Sequence, residues 1–462
     1  MVKDLTVGKP GSVLWKFSVP MFISVMFQQF YNIADSVIAG KFAGEDALAA
    51  VGASYAITMI FMAIAVGSNI GCSVVISQLF GAKKFKDMKT AISTTIIATI
   101  VISFGLMAFG LAGTDIMMKM INIPANIMSD ASLYFRIYIG GFLFLYLYNV
   151  CTGIFNSLGD SKTPLYFLIG SSIGNIVLDY MFVAILSWGV AGVAWATFIA
   201  QGIACVLACI TLIKRIRGIE AEGKSEIFSW RMLGKVSRIA IPSILQQSFI
   251  SIGNIFIQWL VNGYGSSVIA GYSAAIKLNT FTITSVTTLG NGVSSFTAQN
   301  IGAGKYDRVK AGFRTGVIMA VIVAIIFCVL FVFGGSGFVS LFLNEESKLA
   351  LETGVKFLRI VAPFYFVVSI KLISDGVLRG SGDMRDFMIS TFSDLILRVI
   401  LAFILTIPFG ATGIWLSWPF GWIVGMALSY LFYKRGNWNH CKDDLISVQG
   451  KQTSADNLEA RA

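Results

Sequence analysis

Ile76-Ser77-Gln78-Leu79-Phe80-Gly81-Ala82-Lys83-Lys84-Phe85 returns 221 residues later as Thr297-Ala298-Gln299-Asn300-Ile301-Gly302-Ala303-Gly304-Lys305-Tyr306. At an offset of 222, Pro20 and Asn32 fall on Pro242 and Asn254. At 223, Arg136, Gly153, Gly159 and Asp160 fall on Arg359, Gly376, Gly382 and Asp383, and at 221 Gly189 and Gly192 fall on Gly410 and Gly413. A period near 220 residues is too long for a solenoid unit. In a membrane chain it points to two equivalent helical bundles, an architecture of many secondary transporters.

The membrane reading comes from composition. The 462 residues are 56% hydrophobic and 13% charged, against about 25% charged in a soluble domain. The apolar surplus comes in runs long enough to cross a bilayer. The first, from Trp15 to Ile38, is too long for a signal-peptide core and has no small-residue cleavage site after it, so it reads as a first membrane helix. The 46 glycines fit close helix packing. Four pairs have GxxxG spacing: Gly67 and Gly71, Gly170 and Gly174, Gly376 and Gly380, Gly421 and Gly425. The six cysteines show no metal-ligand or disulfide spacing.

Twelve spans are expected, roughly 13–38, 47–72, 90–113, 131–155, 163–186 and 190–213, then 236–262, 267–296, 312–334, 354–378, 386–408 and 412–433. The fold class is therefore an all-α membrane protein of twelve transmembrane helices in two pseudo-symmetric six-helix bundles. Residues 1–213 form an N-terminal lobe, 214–230 a cytoplasmic linker, 231–434 a C-terminal lobe and 435–462 a polar, disordered cytoplasmic tail. Basic residues crowd the loops after even-numbered spans: Lys83, Lys84, Lys86 and Lys89; Lys162; Lys214, Arg215, Arg217, Lys224 and Arg231; Lys305, Arg308 and Lys310; Arg379 and Arg385. Positive loops stay in the cytoplasm, which puts both termini inside. The net charge of +11 is thus a topology signal, and nucleic acid is not an expected partner.

Ionised groups inside a bilayer cost about 2.5–3.5 kcal/mol each on insertion scales, so each asks for a purpose. Gln28, Asn32 and Asp35 share one face of span 1, and Asp179 lies one turn beyond Asn175 on span 5. Helical rise puts Asp35 about 30 Å past Trp15, Asp179 about 22 Å past Pro164, and Thr197 about 12 Å from the outer end of span 6. The four groups Asp35, Asn175, Asp179 and Thr197 are therefore expected to meet in the outer half of one bundle. Such an oxygen-rich set suits Na⁺, with Asp35 and Asp179 as its metal-ligating carboxylates, or a shared proton. The alternative is that Asp35 faces external water and Asp179 merely bonds Asn175. Pro20 and Pro242 are expected to kink spans 1 and 7.

The second half reads differently. Gln247, Asn254 and Gln258 stripe span 7, Lys277 starts a threonine-rich face on span 8, and Lys371 and Asp375 are four apart on span 10. Together with Gln28 and Asn32, these residues (Lys371 excepted) are the expected lining of a central substrate cavity. Asp394 and Arg398 on span 11 read as a structural ion pair. Arg136 and Arg359 read as headgroup or interhelix anchors.

Several stretches resemble MATE (multidrug and toxic compound extrusion) transporters of the bacterial type. They are Asp4-Leu5-Thr6-x-Gly8, Pro20, Gln29-x-Tyr31-Asn32-x-x-Asp35, Gly174-Asn175-x-x-x-Asp179, Gly192-x-Ala194-x-Ala196-Thr197, Gln299-Asn300-x-Gly302-Ala303-Gly304 and Leu378-Arg379-Gly380-x-Gly382-Asp383. The resemblance covers roughly residues 1–435. It implies a V-shaped pair of lobes with alternating access, and export of amphipathic, often cationic compounds driven by H⁺ or Na⁺. It also implies no cofactor, a cation site of Asp35, Asn175, Asp179 and Thr197, and a place in the bacterial inner membrane. Where some branches place a glutamate in the seventh helix, this chain has Gln246, Gln247 and Asn254, which shifts coupling toward the first lobe. The chain is expected to act as a monomer among membrane lipids. The rival readings are a flippase for a lipid-linked sugar precursor, an intramembrane enzyme and a channel. Neither HExxH nor GxSxG occurs, and the single histidine, His440, lies in the tail, so an enzyme is not expected.

Overall fold

The computed structural model describes residues 3–38, 42, 45–121, 123–343 and 348–439, without the side chains of 33–38, 45–48 and 56. Most of the expected tail lies outside the described residues. The first half holds α1 (Pro10–Ile38), α2 (Glu45–Gly81), α3 (Phe85–Met120), α4 (Met128–Gly140), α5 (Phe142–Ser157), α6 (Lys162–Asp179) and α7 (Gly189–Arg217). The second holds α8 (Trp230–Asn262), α9 (Ser266–Gly302), α10 (Tyr306–Ser340), α11 (Lys348–Val361), α12 (Tyr365–Ser381), α13 (Met384–Phe409) and α14 (Ala411–Arg435). No strand occurs among the described residues.

Among the described residues, twelve spans arise from fourteen α-helices because the fourth span of each half is interrupted. α4 and α5 meet at a 48° bend at Gly140-Gly141, and α11 and α12 are joined by a 3-10 turn over Ala362–Phe364. Phe142 and Tyr365, which restart the helix in each half, are repeat mates at the offset of 223. The break is thus shared while its cause is not. A glycine pair lacks helix-stabilising side chains, whereas Pro363 removes a backbone donor. Pro20 and Pro242, read as kinks, lie inside unbroken helices.

Ten segments are long and apolar enough to cross a bilayer, eleven with the bent α4–α5 pair. The remaining helix, α9, has the length at 37 residues but not the apolarity. Its surroundings explain this. Large exposed apolar side chains mark α8 (Ile255, Trp259) and α10 (Ile325, Phe333), and none lies on α9. A helix packed among protein and facing a polar cavity has no lipid to satisfy.

The halves close on each other through the motif that repeats. Ser73 Oγ of α2 and Ser295 Oγ of α9 lie 3.4 Å apart across the two halves. Gln78 Nε2 donates to the carbonyls of Gly380 (3.0 Å) and Ser381 (3.2 Å). Gln299 Nε2 donates to the carbonyl of Ser157 (2.7 Å), the repeat mate of Gly380. Gly81 abuts the Gln299 carbonyl and Gly302 the Gln78 carbonyl, so tightly that a Cβ on either has no room. The N-terminal segment seals the same end. The Leu5 N–H donates to Gln299 Oε1 at 2.9 Å, and Arg308 donates to the Leu5 and Gly8 carbonyls. Farther along, Gly67 and Gly71 of α2 press on Ile244 and Ala240 of α8. Of the four GxxxG pairs, three sit in such crossings, while Gly170 and Gly174 face open space.

Candidate functional site: a polar cavity between the halves

Away from this seal, a cavity of about 560 Å³ separates the halves. α1 brings Gln28, α2 Asn69, and α5 Asn149 and Asn156; α8 brings Gln247 and Asn254, and α9 a face of Thr280, Thr284, Thr287 and Asn291. The one-turn spacings that made stripes in the sequence place these side chains on single helix faces.

Among the described residues, the charges of the cavity wall come from α12 and α13. Lys371 Nζ lies 2.8 Å from Asp375 Oδ2 and 3.5 Å from Asp394 Oδ2. Asp375 also accepts hydrogen bonds from Ser390 (3.2 Å) and Ser429 through its other oxygen. Asp394 therefore pairs across helices with Lys371, not along its own helix with Arg398 as its spacing implied. The Arg398 guanidinium lies 4.4 Å from the ring centre of Trp418. Gly421 and Gly425 permit this arrangement. A Cβ at Gly425 would lie 2.6 Å from Lys371 Cε, and one at Gly421 2.7 Å from Asp394 Oδ1. Arg379, counted among the loop charges, is instead 5% exposed in the cavity wall and donates to Asn291 Oδ1 at 2.6 Å.

Gln28, Gln247, Asn254 and Asp375 line the cavity as expected. Three other expected lining residues are placed elsewhere. Lys277 is exposed with its ammonium 5.4 Å from the Phe342 ring centre. Asn32 is exposed and bonds Gln29, and half-buried Gln258 bonds Asn262. Each of the three lies about one turn beyond the part of its stripe that lines the cavity. Arg136 pairs with Asp115 of α3 at 3.0 Å, an interhelix contact.

In the first half, Asn175 and Asp179 are 2% and 0% exposed. Asn175 Nδ2 lies 3.4 Å from Thr197 Oγ1, so α6 and α7 do bring these two groups together. Asp179 closes α6, and a π-helical stretch, Tyr180–Ile185, begins directly after it. Such wide turns concentrate at functional sites. α1 packs along α6; the Asp35 side chain lies outside the described residues. No group of three or more His, Cys, Asp or Glu side chains placed to hold a metal ion occurs among the described residues. Neither the Lys371–Asp394 contact nor the place of Trp418 and Trp422 in the wall leaves a trace in residue spacing, because each depends on how α12, α13 and α14 meet.

The MatE family model matches twice, over residues 20–181 and again over 242–404. The chain belongs to the MatE family. The two matches begin 222 residues apart, the same offset that relates Pro20 to Pro242. As a MATE protein it is a multi-pass membrane transporter and not an enzyme. Among its relatives is the "Probable multidrug resistance protein YpnP" of Bacillus subtilis (strain 168), 27% identical over 95% of this chain and 98% of the relative. The "Multidrug export protein MepA" of Staphylococcus aureus is 22% identical over 86% of this chain and 88% of its own. A solved structure described as the outward-facing conformation of a multidrug resistance MATE family transporter superposes with a TM-score of 0.88 at 22% identity, covering 96% of this chain and 98% of that one. A MOP superfamily transporter from Pyrococcus furiosus, described as having reversed polarity in its binding pocket, gives 0.88 at 21% identity over 95% and 98%. At these identities the superpositions establish the two-lobed fold.

Proposed function

We propose that this MATE protein exports amphipathic, drug-like compounds by alternating access, in exchange for H⁺ or Na⁺. The observation that carries the reading is the polar cavity between two halves that are hydrogen-bonded together at one end. The sealed end carries Lys83, Lys84, Lys162, Lys305 and Arg308. By the charge rule for membrane loops that end is cytoplasmic, so this conformation is outward-facing. Its relatives' names as multidrug resistance and export proteins agree with drug export. We take residues 1–213 and 231–434 as the two moving lobes of a monomer in the inner membrane.

Coupling is assigned to Asp35, Asn175, Asp179 and Thr197. A cation bound there must favour one lobe arrangement over the other, because only differential affinity shifts a conformational equilibrium. The bonded Asn175–Thr197 pair and the π-helical stretch after Asp179 support the assignment. A π-turn can revert to α geometry and so rotate the helical segment on its C-terminal side. The test is efflux of a fluorescent amphiphile from proteoliposomes under separate pH and Na⁺ gradients. Asp35→Asn and Asp179→Asn should each abolish gradient-driven transport while leaving expression intact. Normal efflux in both variants defeats the assignment.

A second reading, flipping of a lipid-linked sugar precursor, draws support from Lys371, Arg379 and Arg398 in the wall, since basic groups suit a pyrophosphate. Competition by such a lipid against a bound drug would favour it.

A further inference from the structure

The cavity wall holds polar atoms that the fold leaves without hydrogen bonds. Arg398 and Trp418 are each 5% exposed. Arg398 Nε and Nη2, Trp418 Nε1 and Arg379 Nε are all buried with no hydrogen-bond partner, and all three residues line the cavity. Nε and Nη2 form one edge of the guanidinium, the two parallel N–H groups that grip a carboxylate or phosphate bidentately. Stacking on Trp418 fixes that edge in place. Burying such donors unsatisfied costs more than leaving them in water, so the arrangement calls for an acceptor.

The fixed acids do not supply it. Asp375 is engaged by Lys371, Ser390 and Ser429. Asp394 leans to Lys371 and keeps one oxygen, Oδ1, without a hydrogen bond. Among the described side chains, five charged ones line the cavity, Lys371, Arg379 and Arg398 against Asp375 and Asp394, an excess of one positive charge.

We infer that the Nε–Nη2 edge of Arg398, backed by the Trp418 ring, binds an oxyanion carried on an amphiphilic cargo: a carboxylate, sulfonate or phosphate attached to an apolar body. This rests on the export reading and narrows its cargo to anionic or zwitterionic amphiphiles. Asp394 Oδ1 lies one turn away on α13 and would accept from an ammonium or hydroxyl on the same molecule. Trp418 and Trp422, whose ring centres are 5.9 Å apart, offer faces for the apolar body.

The test uses three probes with one pyrene body: 1-pyrenebutyrate, its methyl ester and the matching trimethylammonium. Binding is read by energy transfer from tryptophan, with the full chain in phosphatidylcholine nanodiscs and empty nanodiscs subtracted. The carboxylate should bind about tenfold tighter than the ester. Arg398→Gln should abolish that advantage, bringing carboxylate binding down to the level of the ester, and an unchanged melting temperature certifies the fold. Arg398→Lys should restore only part, because an ammonium lacks the fork. The proposal is overturned if carboxylate and ester bind alike in the parent, if the trimethylammonium binds tightest, or if Arg398→Gln weakens carboxylate and ester equally. Repeating the titration with phosphatidylglycerol in the nanodisc separates the sources. Displacement that depends on Arg398 assigns the oxyanion to a lipid headgroup, and its lack assigns it to a soluble cargo; the edge binds an oxyanion either way. The same probes in proteoliposomes separate this inference from the export reading. Gradient-driven movement of any probe keeps export even where the charge preference fails. Movement of none removes export, and the binding data still judge the anion edge.

Discussion

Replacing Gln78 and Gln299 together by alanine should open the sealed end without unfolding either half. Four hydrogen bonds are lost: Gln78 Nε2 to the Gly380 and Ser381 carbonyls, Gln299 Nε2 to the Ser157 carbonyl, and the Leu5 N–H to Gln299 Oε1. Both glutamines are at most 2% exposed, so water does not replace these bonds while the seal is shut. Once the halves part, every one of those groups can be hydrated, and the whole cost falls on the sealed state. At about 0.5–1.5 kcal/mol per bond, with the shared Gln78 amide counted once, the loss is about 2–4 kcal/mol. That multiplies the ratio of open to sealed forms by roughly 30 to 1,000. The change can be read as distances between spin labels at Lys86 and Asp307, exposed repeat mates flanking the seal, in a cysteine-free background. The parent should give one short distance, each single variant a minor longer component, and the double variant a dominant longer one. An unchanged distance distribution in a folded double variant refutes the gating role. So does a drop in thermal stability with no redistribution, which would make these bonds ordinary structural contacts.

Further outcomes come from the packing and the charges. Gly71→Leu should lower the melting temperature, because its Cβ alone would come within 2.6 Å of Ala240 Cβ; overpacking of this kind costs about 1–3 kcal/mol. Gly170→Leu, where nothing lies within 4 Å, should be neutral by the same thermal shift and serves as its control. Lys371→Met should destabilise by about 3–5 kcal/mol, since it strands two buried carboxylates. Adding Asp375→Asn to Lys371→Met should recover part of that loss, and a double variant less stable than Lys371→Met would contradict the network.

The twelve spans, the two-fold repeat and the paired interruption of the bundles differ in how visible they are to a reader of sequence. Span and repeat are local or translational properties: an apolar run crosses a bilayer wherever it sits, and Gln78 resembles Gln299 whether or not they touch. The bend at Gly140-Gly141 is hidden because glycine pairs are tolerated inside membrane helices, and only its mate at Pro363 makes it a symmetric device. Of the polar stripe residues, Gln28, Gln247 and Asn254 line the cavity while Asn32, Gln258 and Lys277 do not, since a stripe says which way side chains point and not how far the cavity extends. Charge was the least legible property. Asp394 had an obvious partner one turn away in Arg398, and only the approach of α13 to α12, permitted by glycines on α14, gave it Lys371 instead. That exchange has a functional consequence. An Asp394–Arg398 hydrogen bond would have occupied the donors that Arg398 now leaves unpaired. By drawing both carboxylates toward one lysine, the C-terminal half leaves Arg398 Nε and Nη2 without hydrogen bonds in the cavity wall, and on this asymmetry rests the division of labour we propose: acids of the first half for the driving cation, a guanidinium of the second for the cargo.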